Sequence, residues 1–128
     1  MKLRNFQSAD LKALHEIDQA CFPPGISYSP AMLKRFIANG KSKTWVAEDS
    51  DEIAGFLIAS EEPQKVGHII TIDVAQPHRR AGVGTMLMNA AEKWAEQKRL
   101  RLIYLETDED NRPAQNFYAA RGYHKVEE

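Results

Sequence analysis

"HIITIDVAQPHRRAGVGTMLM", residues 68–88, decides the fold. Its first seven residues are rich in β-branched side chains and predict a buried strand, whereas "TMLMNAAEKWAEQK" at 85–98 has the propensity and periodicity of a helix. Between them lie Pro77, Arg79, Arg80, Gly82 and Gly84. The first turn of a helix carries N–H groups without partners and the positive end of the macrodipole, so a phosphate is a natural guest there. Gly82 and Gly84 remove β-carbons that would hold an anion away from those donors, and Arg79 and Arg80 add mobile positive charge. The competing reading is a tight turn with solvated arginines.

Outward from this unit the chain is well punctuated. "KLRNF" is a short alternating strand, after which Ser8 is expected to cap a helix with Leu11, Leu14, Ile17 and Cys21 on its apolar face. "CFPPGISYSP" breaks that helix, and Ser29 with Pro30 starts another, whose buried stripe is Met32, Leu33, Phe36 and Ile37 and whose stop is Asn39-Gly40. "TWVAED" and "IAGFLIAS" flank the turn "DSDE" and predict a hairpin. Beyond the central unit, "LIYLET" is a strand, "NRPAQNFYAARG" is a helix entered at Asn111 and Pro113 and stopped at Gly122, and "YHKVEE" is a last strand. The order β α α β β β α β α β predicts an α/β protein with a mixed sheet covered by helices, and residues 68–107 a parallel crossover. No linker splits the chain, so residues 1–128 are expected to form a single domain.

The 128 residues carry 17 basic and 18 acidic side chains, a balance that disfavours a nucleic-acid binder or an anionic-membrane partner. Any basic patch must be local. The lone Cys21 excludes an internal disulfide framework, no apolar run reaches a membrane span, and the amino terminus lacks a signal-peptide core. A cytoplasmic protein, monomeric or homodimeric, is the expectation. His15, His68, His78 and His124 show no metal-ligand spacing, so no metal is expected. Cys21 reads as a small buried hydrophobe rather than a nucleophile.

The turn is neither of two common phosphate loops. A Walker loop needs a lysine and an earlier glycine that are missing, and the third glycine of the dinucleotide fingerprint is replaced by Leu87. What remains is R-x-x-G-x-G between a strand ending "IDV" and a helix, which resembles the acyl-CoA-binding segment of the GNAT family of N-acetyltransferases. In "YLETDEDNRPAQNFYAARGY", residues 104–123, Leu105-Glu106, Asn111, Ala114, Phe117-Tyr118 and Gly122-Tyr123 fall at the spacings of that family's second signature. The amino-terminal "IDQACFPPGISYSPAML" also resembles the helix, loop and helix of the branch that acetylates protein amino termini, such as the ribosomal-protein alanine acetyltransferases.

The resemblance implies a GNAT-like fold in which the central parallel strands, 68–74 and 101–107, splay apart and backbone groups in the gap bind the pantetheine arm. Ile72, Asp73 and Val74 occupy the matching positions on the first strand. Acetyl-CoA is the implied acyl donor, with its pyrophosphate on Arg79, Arg80, Gly82, Val83, Gly84 and Thr85, and with Asn111 near the cofactor arm or acting as a helix cap. Tyr118 matches the family tyrosine that faces the sulfur and is the candidate acid. Glu106 aligns with the base of the amino-terminal branch, at the carboxyl end of a parallel strand where open α/β sheets place their sites. Asp73, inside an apolar strand, ranks second as base and should be paired, cleft-exposed or raised in pKa. The family commonly extends beyond the Gly-aromatic pair, and with the end at Glu128 the acceptor pocket is expected to be more open, or else to take its wall from another subunit.

Asp108, Glu109 and Asp110 with Glu106 make the acceptor mouth acidic, so the expected acceptor is a cationic primary amine: a peptide amino terminus, a lysine or a polyamine. The alternative is a non-catalytic acyl-CoA-binding regulatory module.

Overall fold

A computed structural model describes residues 1–126. The elements are β1 (Lys2–Asn5), α1 (Leu11–Cys21), α2 (Pro30–Ala38), β2 (Ser42–Asp49), β3 (Glu52–Glu62), β4 (Val66–Val74), α3 (Val83–Gln97), β5 (Leu102–Tyr104) and α4 (Arg112–Ala120). The strands form one sheet in the order β1-β2-β3-β4-β5. All pairs are antiparallel except β4 with β5, which run parallel on either side of α3.

Strand alternation divides the core between the two faces of this sheet. Trp45, Ala47, Leu57 and Ala59 face one way and pack with Val83, Leu87, Met88 and Ala91 of α3. Val46, Phe56 and Ile58 face the other way, onto Leu14 of α1 and Leu33 of α2. Both faces of β3 are therefore covered, which is why its centre reads as a continuous apolar run.

The geometry of β4 prepares the site. Ile58 of β3 pairs with Thr71 and Ala59 with Ile69, so Ile70 is an extra residue, a β-bulge that adds local twist and bends its strand. On its other edge β4 pairs with β5 only through Val66–Leu102, Gly67–Ile103 and His68–Tyr104. Past that fork the strands part. β5 is shorter than the expected 101–107, because the bulged β4 no longer offers ladder partners to Leu105 and Glu106.

Two other expectations are corrected. Ser8 does not cap α1; it lies in a 3-10 turn, Ser8–Asp10, and the entry is set by Asp10, whose carboxylate accepts from the Gln7 N–H at 2.8 Å. Arg4 holds that carboxylate with two hydrogen bonds of 2.8 and 2.9 Å. The last strand is not formed at residues 123–126; the Tyr123 N–H turns back to the Tyr118 carbonyl at 3.0 Å, and the remainder, 127–128, lies outside the described residues. Ser29 does cap α2, its hydroxyl accepting from the Met32 N–H at 3.2 Å.

Candidate active site

The gap between the diverging strands is a cleft of about 600 Å³. One wall is Ile69 to Ile72 of β4, and the opposite wall is Leu105 to Asp108 with Asn111, Ala114 and Tyr118. Cys21, Phe22, Pro23, Ile26 and Tyr28, from the end of α1 and the segment after it, close the third side. Four sequence-predicted residues, Ile72, Glu106, Asn111 and Tyr118, thus meet around one space. Glu106, Asp108 and Asp110 give it an acidic rim, while Glu109 is outside its lining and offers its carbonyl to Gln115.

Where β4 ends, the chain turns through Arg79 to Gly82 into α3. Gly82 caps that helix at φ +81°, a left-handed conformation that favours glycine, and Arg80 shares it at φ +69°. The helix ladder opens with the Met86 N–H bonded to the Gly82 carbonyl at 3.0 Å, so the amides of Val83, Gly84 and Thr85 precede any intrahelical acceptor. A side chain at Gly82 would meet nothing within 4 Å, whereas one at Gly84 would stand 3.5 Å from the Phe117 ring. Gly82 is thus needed for its backbone angle and Gly84 sits against α4. The Val83 side chain is buried in the core, which leaves only the backbone of that residue to face a ligand. Arg79 bends back, its Nε donating to the Val74 carbonyl at 3.3 Å.

Asn111 realises its local role: its side chain accepts from the Ala114 N–H at 3.2 Å and caps α4 while also lining the cleft. Tyr118 stands edge-on to Phe117 and Tyr123, with ring centroids 5.2 and 5.9 Å away. Burial, and secondarily the Asp73 carboxyl, push its phenol up to about 12. Cys21 is half-buried, its Sγ donates to the Val74 carbonyl at 3.4 Å, and burial raises its thiol.

The two carboxylates in the predicted set differ sharply. Glu106 lies two residues past β5 with its side chain 78% exposed, yet it is tethered: its Oε1 is 2.7 Å from His68 Nε2. The other ring nitrogen of His68 is 3.2 Å from Glu62, and the ring stacks on Tyr104 at 4.4 Å. Asp73 is 1% exposed and absent from the cleft lining. Burial, and then contact with Asp18, push its carboxyl up to about 9.

Neither His68 nor Asp18 stands out in the sequence. His68 belongs to an alternating strand and gains meaning only from Glu62 and Glu106 across the fork. Asp18 sits on the apolar face of α1 between Leu14 and Cys21, and only Asp73, far along the chain, gives it a partner.

The pattern has relatives. The family model described as "Acetyltransferase (GNAT) family" matches residues 11–123. An N-alpha-acetyltransferase from Sulfurisphaera tokodaii is 27% identical over 137 residues, covering 98% of this chain and 81% of its own. Among solved structures, the ribosomal-protein-S18-alanine N-acetyltransferase from Escherichia coli superposes with a TM-score of 0.87 at 17% identity, covering 98% of this chain and 79% of its own. An aminoglycoside N-acetyltransferase in complex with CoA does so with a TM-score of 0.81 at 18% identity, covering 99% and 94%. A cleft opened by parting parallel strands and a glycine turn presenting amides beside it suit an acyl-CoA cosubstrate, and the chain belongs to the GNAT family of acetyltransferases.

Proposed function

We propose that this acetyltransferase moves an acetyl group from acetyl-CoA directly to a cationic primary amine, with Tyr118 as acid and Glu106 as base. The observation that carries the reading is the convergence of Tyr118, Glu106 and the unpaired edge of β4 on one cleft. Acetyl-CoA, when bound, supplies the activated thioester. The backbone of Ile72, Asp73 and Val74 would hold its pantetheine arm in place of a missing strand partner. Its pyrophosphate fits the amides of Gly82 to Thr85, with Arg79 and Arg80 as mobile counter-charges and Asn111 close to the arm.

The amine must be neutral to attack. At pH 7 this costs about 1.4 kcal/mol for an α-amine and about 4.6 kcal/mol for a lysine. Glu106 is suited to accept that proton, directly or through water, because His68 occupies one oxygen and the exposed side chain leaves the other available. Asp73 is not suited, since a carboxyl held near 9 keeps its proton at neutral pH. A phenol pushed up to about 12 stays protonated and can donate to the departing thiolate.

The rim of Glu106, Asp108 and Asp110 favours a cationic acceptor over a neutral one. The N-alpha-acetyltransferase relative and the aminoglycoside acetyltransferase neighbour are both named for acceptors that carry amines. Thiol release should be followed with a panel of peptide amino termini, lysine peptides, polyamines and neutral amines. The expected result is faster turnover with the cationic members. Preference for neutral amines would overturn the acceptor class. Unchanged turnover in Tyr118→Phe and Glu106→Gln would overturn the catalytic roles.

A further inference from the structure

Asp18 and Asp73 form a buried acidic pair that catalysis does not use. Asp18 lies on the inner face of α1 and is 0% exposed, and Asp73 lies on β4 at 1%. Among the described residues neither carboxyl has a basic partner within ion-pair distance. Each instead has one oxygen engaged. Asp18 Oδ2 accepts from the Tyr28 N–H at 2.7 Å, and Asp73 Oδ1 accepts from the Thr71 hydroxyl. The remaining oxygens, Asp18 Oδ1 and Asp73 Oδ2, are buried with no donor among the described residues. The end of α1 lies against the end of β4, where Cys21 Sγ reaches the Val74 carbonyl at 3.4 Å, and Asp18 is, after burial, the next cause raising Asp73. Two ionised carboxylates cannot lie together away from water, whereas one proton between the two orphan oxygens satisfies both.

We propose that Asp18 and Asp73 share one proton, and that this proton ties the Tyr28 segment, one wall of the cleft, to the strand whose edge takes the acyl donor. The chain of contacts is continuous: Thr71 to Asp73, Asp73 to Asp18, Asp18 to the Tyr28 backbone, and Tyr28 into the cleft. Asp18 and Asp73 are positioning residues, since Asp18 fixes the Tyr28 wall of the cleft and Asp73 fixes Asp18. Loss of the proton leaves two anions in contact and drives the wall away from β4.

Other groups face the pair. Cys21 comes from α1, Tyr28 from the segment itself and Tyr118 from α4. Arg79 approaches from the turn after β4 but is turned to Cys21 Sγ, at 3.6 Å, and to the Val74 carbonyl. Burial is the first cause raising all three of the former, with the charge of Asp73 or Asp18 next in each case. Asp73 is held up near 9 and burial raises the neighbouring Cys21 thiol as well, so a Cys21→Ser background removes the thiol's titration from the readout.

This inference rests on reading the segment after α1 as the acceptor wall, and its test separates the two. Thermal stability between pH 5 and 10, which needs no acceptor, reports the shared proton; acceptor KM relative to acetyl-CoA KM reports the wall. Asp73→Asn fixes a neutral donor in place of the proton. The wild-type to Asp73→Asn ratio of acceptor KM is expected to be constant below pH 8 and to rise about tenfold by pH 10, one unit beyond the value of Asp73. The ratio for acetyl-CoA should stay flat, and the variant should lose less melting temperature between pH 5 and 9 than the wild type. A second comparison needs no Asp73 variant: Asp18→Asn, which keeps an acceptor for Tyr28 and a donor toward Asp73, should preserve acceptor KM, whereas Asp18→Ala should raise it at every pH. Identical pH profiles of stability in Asp73→Asn and wild type would overturn the shared proton. A normal stability difference with no change in acceptor KM would overturn the link to the wall.

Discussion

Burial keeps the Tyr118 phenol protonated far above neutral pH while leaving the residue at the cleft surface, which is what the proposed acid needs. Tyr118→Phe removes only the hydroxyl, so kcat is expected to fall by about 10²-fold with the KM for acetyl-CoA unchanged, measured by steady-state thiol release. Glu106→Gln should discriminate between acceptors. Because deprotonating a lysine costs about 3 kcal/mol more than an α-amine at pH 7, the loss of kcat/KM should be larger on a lysine peptide than on a peptide amino terminus, and equal losses would argue against Glu106 as base. Both candidates stand at fixed spacing inside one contiguous segment, which is why the sequence singles them out, and both line the cleft. Asp18 and His68 were not legible there, since each acquires its role from residues far away in the chain: Asp73 for one, Glu62 and Glu106 for the other.

At the level of elements, the helix entries could be read from local chemistry. Ser29 with Pro30 and Asn111 with its following Pro113 put a side-chain acceptor on an orphan amide, and both hydrogen bonds are present. Asn111→Ala should therefore cost about 1 kcal/mol in denaturant unfolding. Gly82→Ala should cost about 1–2 kcal/mol, because an L side chain is disfavoured in the left-handed region, and should also weaken acetyl-CoA binding in calorimetry by distorting the amides after it. The lengths of strands were harder to foresee. "LIYLET" has strand propensity throughout, but propensity cannot show that a bulge at Ile70 withdraws the neighbouring strand after Tyr104. The same limit applies to the carboxyl-terminal segment, where the Tyr123 N–H turns back to the Tyr118 carbonyl and residues 123–126 join no ladder.

For the whole molecule, two buried carboxyls give the pH dependence opposite signs. Arg4 holds Asp10 below the usual carboxylate range, so its contribution is present above the unfolded pKa and is lost as pH falls. Asp73 is raised to about 9, so its contribution is greatest below its ordinary value of 3.8 and is lost as pH rises between the two. Stability should decline from mildly acidic to alkaline pH, and Asp10→Asn should cost about 2 kcal/mol by weakening the charge-assisted hydrogen bonds of Arg4, which keeps its pair with Glu48; a melting series across pH checks both. The central claim, that the parted strands and the glycine turn grip the acyl donor, is tested most directly by amide hydrogen exchange with and without acetyl-CoA. The expected result is added protection at residues 72–74 and 82–85 and little change in β1 and β2. Protection confined to other segments, or none at saturating cosubstrate, would contradict it.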